Sequence, residues 1–202
     1  MEAATPPVAP PAADYPARFD VEYPERLSHW KVLVKWLLAF PHLIIVYLLQ
    51  LVASLMVLVA FFAVLFTKKW PRGMFDFMVQ IQRWTLNVAT YAFTLMRDEY
   101  PPFGGEEGEY PLSFQVDYDE NLSRWMIFVK WLLVLPHLII LTFLAVAAWV
   151  VLIIAWFAIL FTGRYPRGMF DFVEGVIRWH NRVVGYALTL VTDKYPPFRL
   201  AP

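Results

Sequence analysis

Two histidines that each follow a proline, and two Arg–Asp–Arg sets, are the residues of this chain whose types and spacing could do chemistry. Arg72 and Asp76 stand four apart, so a helix pairs them on one face, and Arg83 lies two turns beyond Asp76 on that same face. Arg167, Asp171 and Arg178 repeat the set. Guanidinium groups pair bidentately with phosphate oxygens, so such a cluster could bind a lipid headgroup. The structural alternative, which we prefer, is an anchored amphipathic helix with its Asp near the positive helix end. His42 and His137 follow Pro41 and Pro136. An imidazole there could ligate haem or relay protons, but no other His stands at ligand spacing, and the preferred reading is a polar cap on groups freed by the proline break.

Lys35 and Lys130 lie on a narrow polar stripe, in the first copy with Ser28, Lys31 and His42, where amines are expected to snorkel to a membrane interface. The chain has no HExxH, no Ser–His–Asp set with defensible geometry, no phosphate-cradling Gly-rich loop and no paired intramembrane carboxylates. No catalytic residue, metal or cofactor is expected.

The elements that hold these residues come in duplicate. Residues 15–103 and 110–198 align without a gap at an offset of about 95 residues, with roughly half the positions identical. An acidic, Gly-rich linker, residues 104–109, joins the copies. Residues 1–14 form a Pro/Ala-rich tail without the basic and apolar regions of a signal peptide, and residues 199–202 are a short tail.

Each copy opens on alternation (Phe19, Val21, Tyr23; Phe114, Val116, Tyr118), which suits a short strand that could pair with its twin. An interfacial helix follows, ending at Pro41 or Pro136, where the chain changes direction. The apolar runs, residues 32–66 and 127–161, are long enough to need lipid. Each ends in a basic, aromatic turn. The next segment puts Asp76, Gln80, Arg83, Asn87, Thr90 and Thr94 on one helical face and apolar residues on the other. Burying Arg83 at mid-bilayer would cost at least about 2.5–3.5 kcal/mol, so this helix is expected to lie in the interface.

Composition agrees with a lipid environment. The hydrophobic fraction is 59%, with a mean hydropathy of +0.51 and nine Trp, more apolar surface than a soluble domain of this size could hide. Seventeen basic and 17 acidic residues cancel, which gives no electrostatic case for nucleic acid. The chain has no cysteine, so disulfides and thiolate chemistry are excluded.

The fold class is therefore an all-α integral membrane protein built as a tandem repeat. Each apolar run could cross once, which inverts the copies, or fold back as a re-entrant hairpin. Single crossings are favoured, although basic residues fall at matching places in both copies (Lys35 and Lys130, Lys69 and Arg164), which inverted copies should not share. Both readings put the termini on one side, expected to be cytoplasmic.

The motifs Val34-Lys-Trp-Leu-Leu, Pro41-His42, Leu65-Phe-Thr-Lys-Lys-Trp-Pro-Arg-Gly-Met-Phe-Asp-Phe77, Arg83-Trp84 and the closing Tyr-Pro-Pro-Phe, with their second-copy equivalents, resemble the domain of unknown function 4389 family of bacterial membrane proteins. The resemblance implies residence in a bacterial inner membrane and supplies no activity to carry over. The first copy departs from the motif with Lys68 for Gly and Trp70 for Tyr.

From these residues a non-enzymatic membrane scaffold or accessory subunit is expected, in contact with membrane lipid and with a membrane-protein partner or further copies of itself. A small transporter or lipid-handling protein is the alternative, and a haem protein or enzyme the third.

Overall fold

A computed structural model describes residues 15–202. The tail expected over residues 1–14 lies outside the described residues. The order is β1 (Ala17–Val21), α1 (Lys31–Leu38), α2 (Phe40–Thr67), α3 (Arg72–Ala92), then β2 (Leu112–Val116), α4 (Met126–Leu133), α5 (Leu135–Thr162) and α6 (Arg167–Ala187). The second half repeats the first, element for element.

The proline break falls at Ala39 and Val134, which end α1 and α4. Pro41 and Pro136 then sit in the first turn of α2 and α5, where a missing N–H costs nothing because it has no intrahelical partner. Beyond them the apolar runs are uninterrupted 28-residue helices. The fold-back hairpin is therefore incorrect. Ser54, at the middle of the run, bonds the Gln50 carbonyl one turn back at 2.8 Å, as a helical serine does.

Both long helices end in the left-handed region, at Lys68 (φ 63°) and Gly163 (φ 65°), each N–H capping a carbonyl four residues back at 2.8 Å. Lysine is the poorer choice, because its Cβ crowds the following carbonyl at a cost of about 1–2 kcal/mol. Lys68→Gly should accordingly raise stability by about 1 kcal/mol, read as a higher thermal midpoint in detergent. The reverse change, Gly163→Lys, should do harm twice, since a Cβ there would also stand 2.9 Å from the His29 Nε2.

From that turn α3 runs back antiparallel along α2. Val46 clusters with Val88 and Tyr91 near one end, and Ala60 and Val64 with Trp70 and Phe75 near the other. At mid-length the Gln50 amide donates to the Thr85 hydroxyl at 3.0 Å. Helices α5 and α6 repeat the hairpin, with Leu141 against Val183 and Tyr186, and Ala155 and Ile159 in one cluster with Tyr165 and Phe170. Each large side chain buried along these seams contributes about 1.5–3 kcal/mol.

The copies interlock by exchange. β1 and β2 pair antiparallel with Phe19 opposite Phe114, which are equivalent positions, so the pair has twofold character. Several inter-copy contacts then come twice. The Leu27 N–H donates to the Gly163 carbonyl and the Leu122 N–H to that of Lys68, both at 2.8 Å. The Tyr23 hydroxyl bonds the Tyr165 carbonyl, and the Tyr118 hydroxyl that of Trp70. β1 packs on α6 of the other copy and β2 on α3. The result is layered: α2 and α5 outermost, α3 and α6 between, and the strand pair with its linker on the far side.

Candidate functional site

The polar residues gather where α1 breaks into α2, and again where α4 breaks into α5. Lys35 is 1% exposed; its amine bonds the Asp98 carboxylate at 2.7 Å and the Arg97 carbonyl at 2.7 Å. Lys130 makes the same contacts with Asp193 at 2.8 Å and Thr192 at 2.7 Å. The second oxygen of each carboxylate accepts a backbone N–H, from Ser28 or Ser123. Tyr91 and Tyr186 present their rings to the two amines, 5.5 and 5.1 Å away. The snorkelling expected of Lys35 and Lys130 is thus not what the structure shows, because an acid brought back by the chain reversal after α3 neutralises each amine inside the fold. That reversal passes through Leu95 and Leu190, buried residues held at φ 59° and 56°, in the region that favours glycine.

Burial alone would raise the Asp98 carboxyl. The Lys35 amine, the Ser28 N–H and the lysine's charge outweigh it and hold the group below the ordinary carboxylate range. Burial pushes the Lys35 amine downward against the pull of Asp98. In this ion pair the carboxylate sets the acid behaviour. A lowered folded-state pKa contributes stability that is complete above the unfolded value, about 4, and lost as pH falls through the folded value. Thermal stability should therefore decline below about pH 4, and Asp98→Asn should remove part of that decline in a melting series from neutral to acid.

His42 and His137 lie beside these pairs, fully buried. Each accepts an indole N–H at Nδ1, from Trp84 at 3.1 Å and from Trp179 at 3.0 Å. That nitrogen then carries no proton. Phe103 and Phe198 stack on the two imidazoles, with ring centroids 4.1 and 3.9 Å apart. The carbonyls freed by the proline break are capped by tyrosines rather than by the histidines: Tyr100 bonds the Leu38 carbonyl at 3.2 Å and Tyr195 that of Leu133 at 3.0 Å. The closing Tyr-Pro-Pro-Phe motif thus supplies both the cap and the lid of its own histidine.

The Arg–Asp–Arg sets divide. Arg72 pairs with Asp76 at 3.1 Å and Arg167 with Asp171 at 3.0 Å, all exposed at the helix starts. Arg72 and Arg167 also lie over the rings of Tyr118 and Tyr23 of the opposite copy, at 4.6 and 4.5 Å. Arg83 and Arg178 turn away to the strands. Arg83 bonds the Phe114 carbonyl at 2.9 Å and that of Gly105 at 2.8 Å. Arg178 bonds the Phe19 carbonyl at 2.8 Å and Glu174 at 2.9 Å. The polar face of α3 is likewise divided: Asp76 is exposed, whereas Asn87 and Thr90 are buried, and in α6 so are Asn181 and Arg182.

Residue by residue, the sequence missed the acids Asp98, Asp193 and Glu174 as partners. The first two carried a signal, since they recur at equivalent positions and each lies equally far from its lysine. Glu174 stands in one copy only, opposite Val79 in the other. Its carboxylate accepts the Val21 N–H at 2.9 Å, and burial pushes it above the ordinary range despite the Arg178 charge.

Between α1, the end of α3 and α5 lies an apolar groove of about 610 Å³, lined by Val32, Trp36, Phe93, Leu95, Trp149 and Trp156. Two of its walls, Trp36 of α1 and Trp149 of α5, are largely exposed, as are the apolar faces of α2 and α5. Those faces are extensive: only 17% of the most apolar 18-residue window of either helix is buried, at mean hydropathies of 2.7 and 3.0.

A twice-repeated, mostly helical module with two helices long and apolar enough to cross a membrane is the class these features define. The chain belongs to the family described as Domain of unknown function (DUF4389), which matches it twice, over residues 29–104 and 124–199. Neither the curated proteins nor the solved structures contain a match.

Proposed function

We propose that the protein is a non-enzymatic membrane scaffold, an accessory subunit that stabilises, recruits or shapes an assembly in the bacterial inner membrane. The observation that carries this reading is the use to which the duplicated polar residues are put. Lys35, Asp98, Lys130 and Asp193 are consumed in ion pairs, and Nδ1 of His42 and of His137 accepts an indole N–H, contacts that fix the α1–α2 and α4–α5 corners. The apolar faces of α2 and α5, by contrast, are left without partners from the chain itself. Lipid covers most of that surface, and the remainder offers a membrane-protein partner, or another copy of the chain, a rigid twofold platform. Both described ends of the chain lie on the same body, since the Tyr15 hydroxyl bonds the Lys194 carbonyl at 2.9 Å, and we place them on the cytoplasmic side.

Purification at native abundance in a mild detergent tests the reading. A stable complex with a membrane protein, or a homo-oligomer, is expected. A solitary monomer at every detergent-to-protein ratio would overturn it.

A further inference from the structure

We infer that the protein lies flat in one leaflet of an anionic bilayer, its twofold axis along the membrane normal, with α1, α2, α4 and α5 sunk among the acyl chains and the strand pair facing water. The inference rests on the proposed membrane residence and deepens it.

Length and hydropathy permit α2 and α5 to cross a bilayer, but the positions of the charges oppose it. Because α3 runs antiparallel along the whole of α2, the middle of α3 marks the middle of α2. The linker is fastened at that level. The Gln80 amide donates to Glu106 at 2.7 Å, Arg83 bonds the Gly105 carbonyl, and a Cβ on Gly105 would stand 2.0 Å from the Gln80 carbonyl oxygen. Glu107, 58% exposed, lies 3.7 Å from Arg83. At the middle of α6, Arg178 lies 3.3 Å from Asp20 of the first copy's β1, which is 75% exposed. The Arg18–Asp117 pair flanks the same strands, 33% and 57% exposed. Upright helices would hold all of these groups at the depth of the bilayer centre, where charged groups this exposed are least tolerated, paired or not.

Laid flat, the same body is amphipathic through its thickness. Its outer layer presents Leu48, Leu55, Phe62, Phe143, Trp149 and Phe157. Its opposite layer presents Glu106, Glu107, Glu109 and Asp117. Exposed Lys68, Lys69 and Arg164 stand at the helix ends between the two, where cations meet anionic headgroups. Two copies facing the same way also remove the conflict in charge placement, because Lys69 and Arg164 then serve equivalent positions on one surface.

The chain contains no cysteine, so two can be introduced without background. Lys69→Cys and Arg164→Cys, combined in the full chain, place thiols at the ends of α2 and α5, which point in opposite directions. The variant is reconstituted in sealed phosphatidylcholine–phosphatidylglycerol vesicles, floated, treated with a membrane-impermeant maleimide and weighed intact. The flat arrangement predicts molecules with two labels or none, whichever leaflet each occupies, and two labels on all molecules once the vesicles are lysed. A population carrying one label each would mean that the helices cross, and would overturn the inference while leaving the scaffold reading standing. Protein that fails to float with the vesicles would overturn both.

Discussion

Replacing Lys35 or Lys130 by Met should lower stability by up to about 3–5 kcal/mol, because it leaves a largely but not fully buried carboxylate, 16% or 23% exposed, without its counter-charge. For a chain of this length that corresponds to a fall in melting temperature of roughly 6–20 °C. Methionine keeps the stem that packs inside the corner and removes only the charge. The acid is held from its other side by the Ser28 or Ser123 N–H, so it stays in place rather than swinging out to water. The double variant Lys35→Met/Asp98→Asn should lose much less than the two single changes added together, since the amide oxygen still accepts the Ser28 N–H and no unpaired charge remains. Thermal denaturation of the four proteins in one detergent measures the coupling. Additive losses would show that the pair is not the interaction that fixes the corner.

The second large effect separates the copies. Arg178→Met should cost about 3–5 kcal/mol, whereas Arg83→Met should cost about 1.5–3 kcal/mol. Both arginines bond a strand carbonyl across the copy boundary. Only Arg178 also neutralises a buried acid, Glu174, which is 8% exposed and otherwise held by the Val21 N–H. The counterpart of Glu174 is Val79, and the acid near Arg83, Glu107, is solvated at 3.7 Å. Adding Glu174→Val to Arg178→Met should return the part of the loss due to the uncompensated acid and leave a deficit like that of Arg83→Met, because Val79 already stands at that position in the first copy. Equal losses at Arg83 and Arg178 would contradict this assignment.

These two sites show where the sequence was legible and where it was not. Helix and strand positions could be read because they depend on local pattern: the alternation at Phe19 and Phe114, the proline that ends α1, the unbroken apolar run of α2. The Arg72–Asp76 pair could be read for the same reason, since four residues on a helix fix its geometry. The fate of Lys35 could not, because its partner Asp98 arrives through a reversal at Leu95, a leucine in a glycine conformation that no local rule anticipates. Arg83 and Arg178 lie on the predicted face of their helices, yet that face is covered by a strand from the other copy. Amphipathic periodicity states which side of a helix is polar. It does not state whether water or a backbone carbonyl satisfies it.

The same distinction governs the long helices. A run such as Leu43–Phe66 looks like a crossing because the sequence gives only its length and hydropathy. What lies beside its midpoint is a tertiary fact, and there the structure puts Gln50, Gln82 and, one layer further out, the acidic linker.

A depth profile along α2 tests most directly the claim that one leaflet covers this face. Leu48→Cys, Leu55→Cys and Phe62→Cys, all at exposed apolar positions, would each carry a nitroxide in phosphatidylcholine–phosphatidylglycerol vesicles, and relaxation by oxygen would be compared with relaxation by a water-soluble nickel complex. The flat arrangement predicts one common depth, among the acyl chains of a single leaflet, at all three positions. A profile deepest at Leu55 and shallower at Leu48 and Phe62, or nickel accessibility throughout, would contradict it.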